Sequence, residues 1–487
     1  MCLSISENRG AVPGGCAVAD HLNFLFINTD QQRWDTLGCY GSTAARTPNI
    51  DRLAADGVRF DRCYTANPVC MPARASWFTG RYPSHHGVWN NGVRLDPAAD
   101  MIHVHLKQAG YHAALIGKIH LDNIWKRSSP HPKYGFDLLI ECEGDPYCRD
   151  EYFRWLERHG LYESYMAQFK AGGHTERYVR DIPLEFHMNT WIADHVEWYF
   201  QERCSDGRPF FLSVGFFDPH HPFDPVEPYA SMFDPADMPQ PVSGDEEEAM
   251  TPYARERRKA CERVCGNPAR IAATVAAYYA KVAHVDAAVG RILVALESCG
   301  LESRTVVIFT SDHGELLGDH GMLHKGPFFF EGAIRVPMIW RLPPSFQARG
   351  VHDGFVSTVD VAPTVAALAG VGGPALMQGM SLFDEQGRLR DKWSRDAALT
   401  EWRGEAVNQG AGAAPYPAVR CLTTAHWKYV HYEGKDFGEL YDRRADPLET
   451  QNLWGKPAYR DVVREMRERL LAFILNNEPL PAKTDIF

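Results

Sequence analysis

The sequence lacks a surplus of positive charge and a dense set of cysteines. It carries 51 Lys and Arg against 62 Asp and Glu, for a formal net charge of −11. This argues against a nucleic-acid partner, because phosphate backbones are bound mainly by excess basic residues. An anionic ligand therefore needs a local positive pocket. Twelve irregularly spaced cysteines among 487 residues are too sparse for a disulfide scaffold, so we expect mostly reduced thiols.

Long apolar runs are also missing. No stretch reaches the length of a membrane span, and residues 1–20 contain no basic segment followed by an apolar one. We therefore expect no membrane partner and predict a cytoplasmic location. The composition, with 45% hydrophobic and 23% charged residues, is typical of globular proteins. The chain is longer than the domains that a single hydrophobic core usually supports, which favours one large domain and one smaller domain.

Compact apolar runs that end in polar residues recur along the chain. They lie at Asn23–Asn28, His112–Gly117, Pro209–Phe217 and Thr305–Ser311. Stretches with helical apolar periodicity, such as 189–203 and 271–298, separate them. This alternation predicts an α/β fold with a mostly parallel central sheet sandwiched by helices. Ligands of such sheets bind beyond the carboxyl ends of the strands, so the polar residues there are site candidates.

The pattern changes near Gly370. A Gly-rich stretch is followed by strand-like runs at Trp427–Tyr432 and Gly438–Asp442, and then by a helical stretch at about 458–475. We expect a short antiparallel sheet and a terminal helix there. The predicted segments are a loose N-terminus over 1–20, a large α/β domain over 21–370 that carries the candidate site, and a smaller α+β domain over 371–487.

The segment Pro68–Arg74 (PVCMPAR) places a cysteine between two prolines. Pro72 fits the first turn of a helix, where a missing N–H costs nothing. Cys70 is then expected near a helix N-terminus, whose free backbone donors bind anions. Arg74, one turn later, lies on the same face and can hold an oxyanion or a hydroxyl. Taken alone, a cysteine here is more often a buried thiol than a functional group.

Cys-x-Pro-x-Arg followed by Thr79–Gly80 resembles the signature of the sulfatase family. The resemblance implies that a maturation enzyme oxidises Cys70 to formylglycine. The hydrated aldehyde suits sulfate esters, since one geminal hydroxyl attacks sulfur and the other later expels sulfate by collapsing to the aldehyde. The segment Gly117–Leu121 (GKIHL) resembles the second family signature, which implies that Lys118 binds sulfate and His120 hydrogen-bonds the formylglycine.

Polar pairs at two strand ends are the candidate metal ligands. Asp30 and Gln31 follow the first apolar run, and Asp312 and His313 follow the last. Each alone is more often a cap or turn residue. The family resemblance implies that together with Cys70 they bind one divalent metal ion. Oxygen-rich ligation favours Ca²⁺, and the single imidazole keeps Mn²⁺ as the alternative.

Two later segments also match the family pattern. Pro219–Pro222 (PHHP) resembles a Pro-His-x-Pro loop, which assigns the functional role to His220, with His221 as the rival of the pair. His220 is expected to contact sulfate or to protonate the leaving oxygen. Lys325 matches a late lysine that binds sulfate and leaving-group oxygens. Its alternative is a solvated surface lysine.

Asn91 follows Cys70 at the spacing where choline sulfatases and phosphonate monoester hydrolases place an active-site amide, and the neighbouring Asn90 is its rival. The likeness extends through Thr47–Leu53 and Val356–Gly370, so it covers nearly the whole chain. It implies an alkaline-phosphatase-like α/β sandwich with a small C-terminal domain.

These features favour a sulfatase that hydrolyses a small-molecule sulfate monoester to an alcohol and inorganic sulfate. The nearest alternative is a phosphonate monoester or phosphodiester hydrolase with the same nucleophile. Phosphonate hydrolases carry neutral hydroxyl residues in place of Lys118 and His120, so this basic pair favours sulfate. An alternative of another class is an inactive, sulfatase-like binding protein. The alcohol stays open between aryl, sugar and choline-like groups, and a homo-oligomer is among the expected states because related bacterial enzymes often associate.

Overall fold

An eight-stranded sheet organises the larger part of the protein. The computed structural model describes residues 21–123, 132–172, 177–244, 249–346, 348–390, 395–404 and 416–478. The strands of this sheet are β1 (Asn23–Asp30), β2 (Val58–Tyr64), β3 (His112–Gly117), β4 (Leu138–Glu141), β5 (Phe210–Pro219), β6 (Thr305–Ser311), β7 (Met338–Arg341) and β8 (Gly350–Ser357). They are arranged in the order β4-β3-β5-β1-β6-β7-β2-β8. Only β7 runs antiparallel to its neighbours β6 and β2, so the sheet is mostly parallel, as predicted.

Helices cover both faces of the sheet. The helices of the described ranges, not all of which pack on this sheet, are α1 (Pro48–Ala55), α2 (Cys70–Thr79), α3 (Pro83–His86), α4 (Ile102–Gln108), α5 (Glu151–Arg158), α6 (Tyr162–Gly172), α7 (Met188–Asp206), α8 (Pro252–Cys265), α9 (Pro268–Ser298), α10 (Glu331–Ile334), α11 (Val361–Ala369) and α12 (Arg460–Asn476). Successive side chains of a strand point to opposite faces. Leu25 and Ile27 of β1 accordingly pack into a core with α7 and α9, and Phe24 and Phe26 pack into a second core with α2, α4 and α11. The predicted helix–sheet–helix sandwich is confirmed.

The predicted strands and helices are present with small shifts at their ends. β3 and β6 have the predicted bounds, while β1 continues to Asp30 and β5 to Pro219. The long helices α7 and α9 each begin slightly earlier than their apolar periodicity indicated. The sequence analysis missed β2, β4, β7 and β8 of this sheet. Charged residues interrupt the run of β2, β4 and β7 have only four residues each, and the first half of β8 is largely exposed. No helix in the described ranges is both long and apolar enough to cross a membrane.

A second, four-stranded antiparallel sheet follows. Its strands are β9 (Ala397–Gly404), β10 (Tyr416–Thr424), β11 (Trp427–Tyr432) and β12 (Gly438–Asp442), in the order β12-β11-β10-β9. Met466 and Leu470 of α12 pack on one face against Tyr429 and Leu440. The other face packs against residues that precede and include α10, among them Phe330. The domain boundary at 370/371 stays a prediction, and the segment 1–20 lies outside the described residues.

Candidate active site

Polar residues from four neighbouring strands meet at one edge of the large sheet. Asp30 ends β1, Lys118 follows β3, His220 follows β5, and Asp312 and His313 follow β6. The strands β3, β5, β1 and β6 are consecutive and parallel, so their carboxyl ends lie side by side. The arrangement expected from the sequence is therefore present in the fold.

Helix α2 carries Cys70 to this edge. The helix begins at Cys70 itself, with Pro72 in its first turn, where a proline needs no hydrogen-bond partner. The free backbone N–H of Met71 donates to Asn91 Oδ1 at 3.0 Å. Asn91 Nδ2 lies 3.9 Å from Cys70 Sγ, whereas Asn90 Oδ1 accepts the N–H of Asn91. Of the two candidate amides, the structure thus places Asn91 beside Cys70.

The thiol of Cys70 lies among charged and ligating groups. Its Sγ is 2.8 Å from Lys325 Nζ, 3.3 Å from His313 Nε2 and 3.7 Å from Asp30 Oδ1. The side chain is buried. Burial and the Asp30 carboxylate raise the pKa of Cys70 to about 11, against the opposing effect of Lys325. An unmodified Cys70 is therefore a neutral thiol at neutral pH.

Four of the predicted metal ligands converge. The ligating atoms of Asp30, Cys70, Asp312 and His313 all lie within 4.8 Å of one another. His313 Nε2 is 3.7 Å from Asp30 Oδ1 and 3.6 Å from Asp312 Oδ1. His313 Nδ1 contacts the carbonyl of Gly314 at 2.8 Å, and a carbonyl only accepts, so the ring proton is on Nδ1. The Nε2 lone pair is left to face the carboxylates, as a metal ligand requires.

Gln31 is joined to this donor set through its backbone. Its backbone N–H donates to Asp312 Oδ1 at 3.0 Å. Its side-chain oxygen Oε1 is buried and accepts no hydrogen bond from any described residue. A buried polar atom without a partner is costly, and a divalent cation would satisfy it. Two carboxylates, an amide oxygen and an imidazole fit Ca²⁺ or Mn²⁺.

Three cations surround the carboxylates. Arg74 Nε lies 2.8 Å from Asp312 Oδ2, and Arg74 Nη2 lies 3.6 Å from Asp30 Oδ2. Lys118 Nζ is 2.7 Å from Asp30 Oδ2, and Lys325 Nζ is 3.6 Å from Asp30 Oδ1. Burial would raise the pKa of Asp30, but the surrounding cations, Lys118 foremost, outweigh it and hold that pKa well below its usual value. Arg74 thus pairs with the carboxylates in this structure, so its positive charge acts on them directly.

The two histidines after β5 face different groups. His220 Nε2 lies 4.0 Å from Asp30 Oδ1, at the edge where Cys70 lies. His221 Nδ1 instead lies 3.1 Å from Gln31 Nε2. This geometry favours His220 for the role predicted from the sequence.

His120 is less directly connected. Its backbone has φ 48°, and its N–H donates to Glu143 Oε1 at 2.9 Å. No hydrogen bond joins its ring to Cys70 in the part of the chain that the structure describes, and its Nδ1 is buried without a partner. The predicted bond from His120 to a residue derived from Cys70 therefore stays a prediction.

Comparison with known proteins decides the family. A family model described as Sulfatase matches residues 22–371, and a second, described as N-sulphoglucosamine sulphohydrolase, C-terminal, matches residues 318–476. The chain belongs to the sulfatase family. It is 32% identical over 467 residues to YidJ, an uncharacterized sulfatase of Escherichia coli, with 93% of this chain and 87% of that protein covered.

Other relatives of this sulfatase family member differ in their named activities. An arylsulfatase of Clostridium perfringens is 28% identical over 475 residues, with 92% of this chain and 93% of that protein covered. Among solved structures, the phosphonate monoester hydrolase of Agrobacterium radiobacter superposes with a TM-score of 0.80 at 28% identity, covering 94% of this chain and 96% of that chain. The fold is therefore that of sulfatases and phosphonate hydrolases of the alkaline phosphatase superfamily.

The sequence analysis missed several residues around the site of this sulfatase family member. Glu315 hydrogen-bonds the Gln31 side chain, and Glu143 accepts the N–H groups of Ile119 and His120. No spacing pattern distinguishes these residues from ordinary surface glutamates. For Glu315, the one indication in the sequence that it could lie near the site is its position three residues after Asp312.

Proposed function

We propose that this protein hydrolyses sulfate monoesters to an alcohol and inorganic sulfate, with a formylglycine made from Cys70 as the nucleophile. The observation that carries this proposal is the environment of Cys70 Sγ at the start of α2. An amine, an imidazole and a carboxylate lie within 3.7 Å of it. An oxygen nucleophile at this position would meet both the groups that activate it and those that bind an anion.

One divalent cation, Ca²⁺ or Mn²⁺, would be held by Asp30, Gln31, Asp312, His313 and the hydrated residue 70. When bound, it supplies Lewis-acid stabilisation of the negative charge on the sulfuryl oxygens. Arg74 balances the charge of the ligand carboxylates and fixes their orientation through its contacts with both. These roles rest on the converging donor atoms and on the unpartnered oxygen of Gln31.

The basic residues bind and orient the ester. Lys118 and Lys325 place two ammonium groups within 4 Å of Asp30 and beside residue 70, so the site is locally positive within an acidic protein. Asn91 fixes the start of α2 and contacts residue 70. We assign to these groups the stabilisation of charge on the sulfuryl group as it transfers.

The reaction divides into two steps. One hydroxyl of the aldehyde hydrate gives its proton to Asp312 and its oxygen bonds to sulfur. The bond from sulfur to the alcohol oxygen breaks, and the Lys325 ammonium or a protonated His220 gives a proton to that oxygen. The second hydroxyl then loses its proton to His120. The bond from carbon to the sulfated oxygen breaks, which releases sulfate and restores the aldehyde. Addition of water regenerates the hydrate.

A phosphonate monoester or phosphodiester hydrolase is the second candidate. The favouring observation is the superposition on the Agrobacterium phosphonate monoester hydrolase over 94% of this chain. Both substrate classes are tetrahedral anions, so relative rates decide between them. The buried ammonium of Lys118, 2.7 Å from Asp30, favours sulfate in our assignment.

Mass spectrometry of the Cys70 peptide tests the proposal. Cys70 is buried, so oxidation has to precede folding, and the protein is therefore co-expressed with a formylglycine-generating enzyme. Conversion to the aldehyde lowers the peptide mass by about 18 units, and we expect this change. Cys421, a buried thiol in the second sheet, is the internal control and keeps its mass.

An unmodified Cys70 in that experiment contradicts the formylglycine mechanism and favours an inactive binding protein. A modified protein is then assayed on aryl, sugar and choline sulfates and on phosphonate monoesters. A higher kcat/KM for a phosphonate than for every sulfate would replace the first candidate by the second.

A further inference from the structure

The Gln31 carboxamide lies between two acceptors. Its Nε2 is 3.1 Å from His221 Nδ1 and hydrogen-bonds Glu315 Oε2. This hydrogen bond runs from the amide nitrogen to a carboxyl oxygen, so the amide atom that faces Glu315 is the NH2 group. With one hydrogen directed to each acceptor, both amide hydrogens are used. The oxygen Oε1 is then turned away from them, buried and without a hydrogen bond from the described residues.

The backbone of Gln31 is held as firmly as its side chain. It has φ 68°, in the left-handed region that residues other than glycine rarely adopt. Its N–H donates to Asp312 Oδ1, and its carbonyl accepts from the Tyr278 hydroxyl at 2.6 Å. Such a conformation persists only where its surroundings enforce it, and it commonly marks a functional constraint.

Glu315 is itself immobilised. Its Oε1 accepts the N–H groups of Leu317, at 2.9 Å, and of His324. These bonds fix the carboxylate plane and leave Oε2 for Gln31. The His221 ring is stacked on His220 at 4.0 Å and lies 4.1 Å from His324. Both acceptors are therefore preorganised.

The same residues could be taken for a second cation site, since ligating atoms of His221, Glu315 and His324 lie within 4.8 Å of one another. The amide hydrogens of Gln31 argue against it. They occupy the lone pairs of His221 Nδ1 and Glu315 Oε2 that a cation would need. The arrangement serves a donor amide instead.

We propose that His221 and Glu315 are positioning residues that orient the Gln31 amide so that Oε1 is presented to the cation at Asp30, Asp312 and His313. We call Gln31, His221 and Glu315 the amide clamp. The inference rests on the cation site of the proposed function and extends it. It also gives His221, the second histidine of the PHHP segment, a role different from that of His220.

Cation binding to the Glu315→Gln variant tests the amide clamp. A glutamine can turn either its oxygen or its NH2 group toward Gln31, so the orientation of the Gln31 amide is no longer determined. Chelator-stripped protein is titrated with Ca²⁺ by calorimetry and with Mn²⁺ by electron paramagnetic resonance. We expect the Kd to rise by about 10- to 100-fold, as for other partners of metal ligands, and the spectrum of bound Mn²⁺ to change.

A double-mutant cycle separates this role from a general structural one. In a Gln31→Ala background the clamp has nothing to orient, so adding Glu315→Gln should raise the Kd no further. The buried Glu439 hydrogen-bonds two tyrosines in the second sheet, and Glu439→Gln is the matched control with an unchanged Kd. If Glu315→Gln does not fold, His221→Phe keeps the ring and removes one acceptor. It should raise the Kd several-fold.

The outcomes distinguish the clamp from the cation site itself. Unchanged binding in Asp312→Asn shows that the cation site is misplaced, and the clamp falls with it. If Asp312→Asn loses cation binding while Glu315→Gln and His221→Phe both keep the wild-type Kd, the cation site stands and only the amide clamp is overturned. An equal rise of the Kd for Glu315→Gln in the wild-type and Gln31→Ala backgrounds also overturns it.

Discussion

Two buried clusters of histidine and aspartate lie near the carboxyl ends of neighbouring strands, and their chemistry differs. The open cluster consists of Asp30, Cys70, Asp312 and His313, and the closed cluster consists of His187, Asp218 and His284. In each, the ligating atoms lie within 4.8 Å of one another. Judged only by residue type and by the distances between ligating atoms, both clusters would be predicted to bind a metal ion.

Hydrogen bonds inside the closed cluster leave His187 no lone pair for a metal ion. Asp218 pairs with Lys281 Nζ at 2.9 Å and accepts from Asn189 Nδ2 at 2.9 Å. The backbone N–H of Asn189 donates to His187 Nδ1. The proton of the neutral ring is therefore on Nε2, and the lone pair of Nδ1 is occupied by this hydrogen bond. The His284 ring stacks on Tyr229 at 4.3 Å. This cluster holds the start of α7 against β5 and α9.

In the open cluster the carboxylates are also paired, with Arg74 and Lys118, but the imidazole and the neighbouring amide oxygen accept no hydrogen bond from a described backbone group. The ring proton of His313 is on the far nitrogen, and Gln31 Oε1 has no partner among the described residues. The clusters therefore differ in their imidazole and amide groups rather than in their carboxylates, which are paired with cations in both. This difference favours the open cluster as the cation site. It also implies that equivalent substitutions in the two clusters have different effects.

Cys70→Ala should have the largest effect. It removes the source of the nucleophile, so turnover should fall to the background rate, while the midpoint of thermal unfolding changes little because one sulfur atom is lost. The measurement is kcat on the best sulfate ester, with unfolding followed by circular dichroism. Appreciable residual turnover would contradict the assignment. Cys63→Ala, another buried cysteine, is the control and should keep activity.

The substitutions Asp312→Asn and Asp218→Asn compare the clusters directly. Asp312→Asn should abolish cation binding and activity together. Asp218→Asn should leave the cation content unchanged and destabilise the fold by about 3 kcal/mol, because Lys281 loses a buried partner. Metal analysis and urea unfolding of both variants check this. Loss of cation in Asp218→Asn would remove the distinction between the clusters.

Lys118→Thr sharpens the chemistry of the open cluster. It removes an ammonium that lies 2.7 Å from Asp30 and leaves a neutral hydroxyl, the type found in phosphonate monoester hydrolases. We expect the ratio of kcat/KM for sulfate to that for phosphonate to fall by about 10- to 100-fold, the effect of removing one charged group from a preorganised site. The check is to measure both rates on the same preparation, with Lys435→Thr on the surface as control. An unchanged ratio would show that Lys118 does not select sulfate.

His187→Asn tests the closed cluster through pH. Burial, with Lys281 and Arg180 nearby, lowers the pKa of His187 to about 3. In the unfolded chain a histidine titrates near pH 6.5, so below that pH the unfolded state binds a proton that the folded state does not. Stability from this group is therefore fully present above pH 6.5 and falls as the pH decreases toward 3.

An asparagine keeps the helix cap without titrating. Between pH 6.5 and pH 5, His187→Asn should lose about 2 kcal/mol less stability than the wild type. Urea unfolding at the two pH values measures the difference. Parallel losses in both proteins would show that His187 does not carry this pH dependence.

Much of the fold could be predicted because its signals are local. Continuous apolar runs identified β3 and β6 to the residue, since a strand buried on both faces must be apolar throughout. The start of α2 was predicted because proline is favoured in the first turn of a helix. Strand β2 escaped prediction because its partly exposed positions admit Arg and Asp.

Neighbouring residues of the same type could not be separated by sequence. Asn90 and Asn91, or His220 and His221, have nearly the same position in the sequence, and only their contacts distinguish them. The same holds for Glu315, which is 284 residues from Gln31. Hydrogen bonds over such separations have no periodicity by which a sequence could reveal them.

The sequence by itself determined the α/β architecture, the strand ends that carry polar residues and the cysteine at the start of α2, because apolar periodicity and proline placement act over a few residues. Only the tertiary structure decided which histidine keeps a nitrogen available to a cation, which amide faces Cys70 and how Gln31 is oriented. These depend on the direction of individual hydrogen bonds between distant segments, and that direction is set only when the strands and helices have packed together.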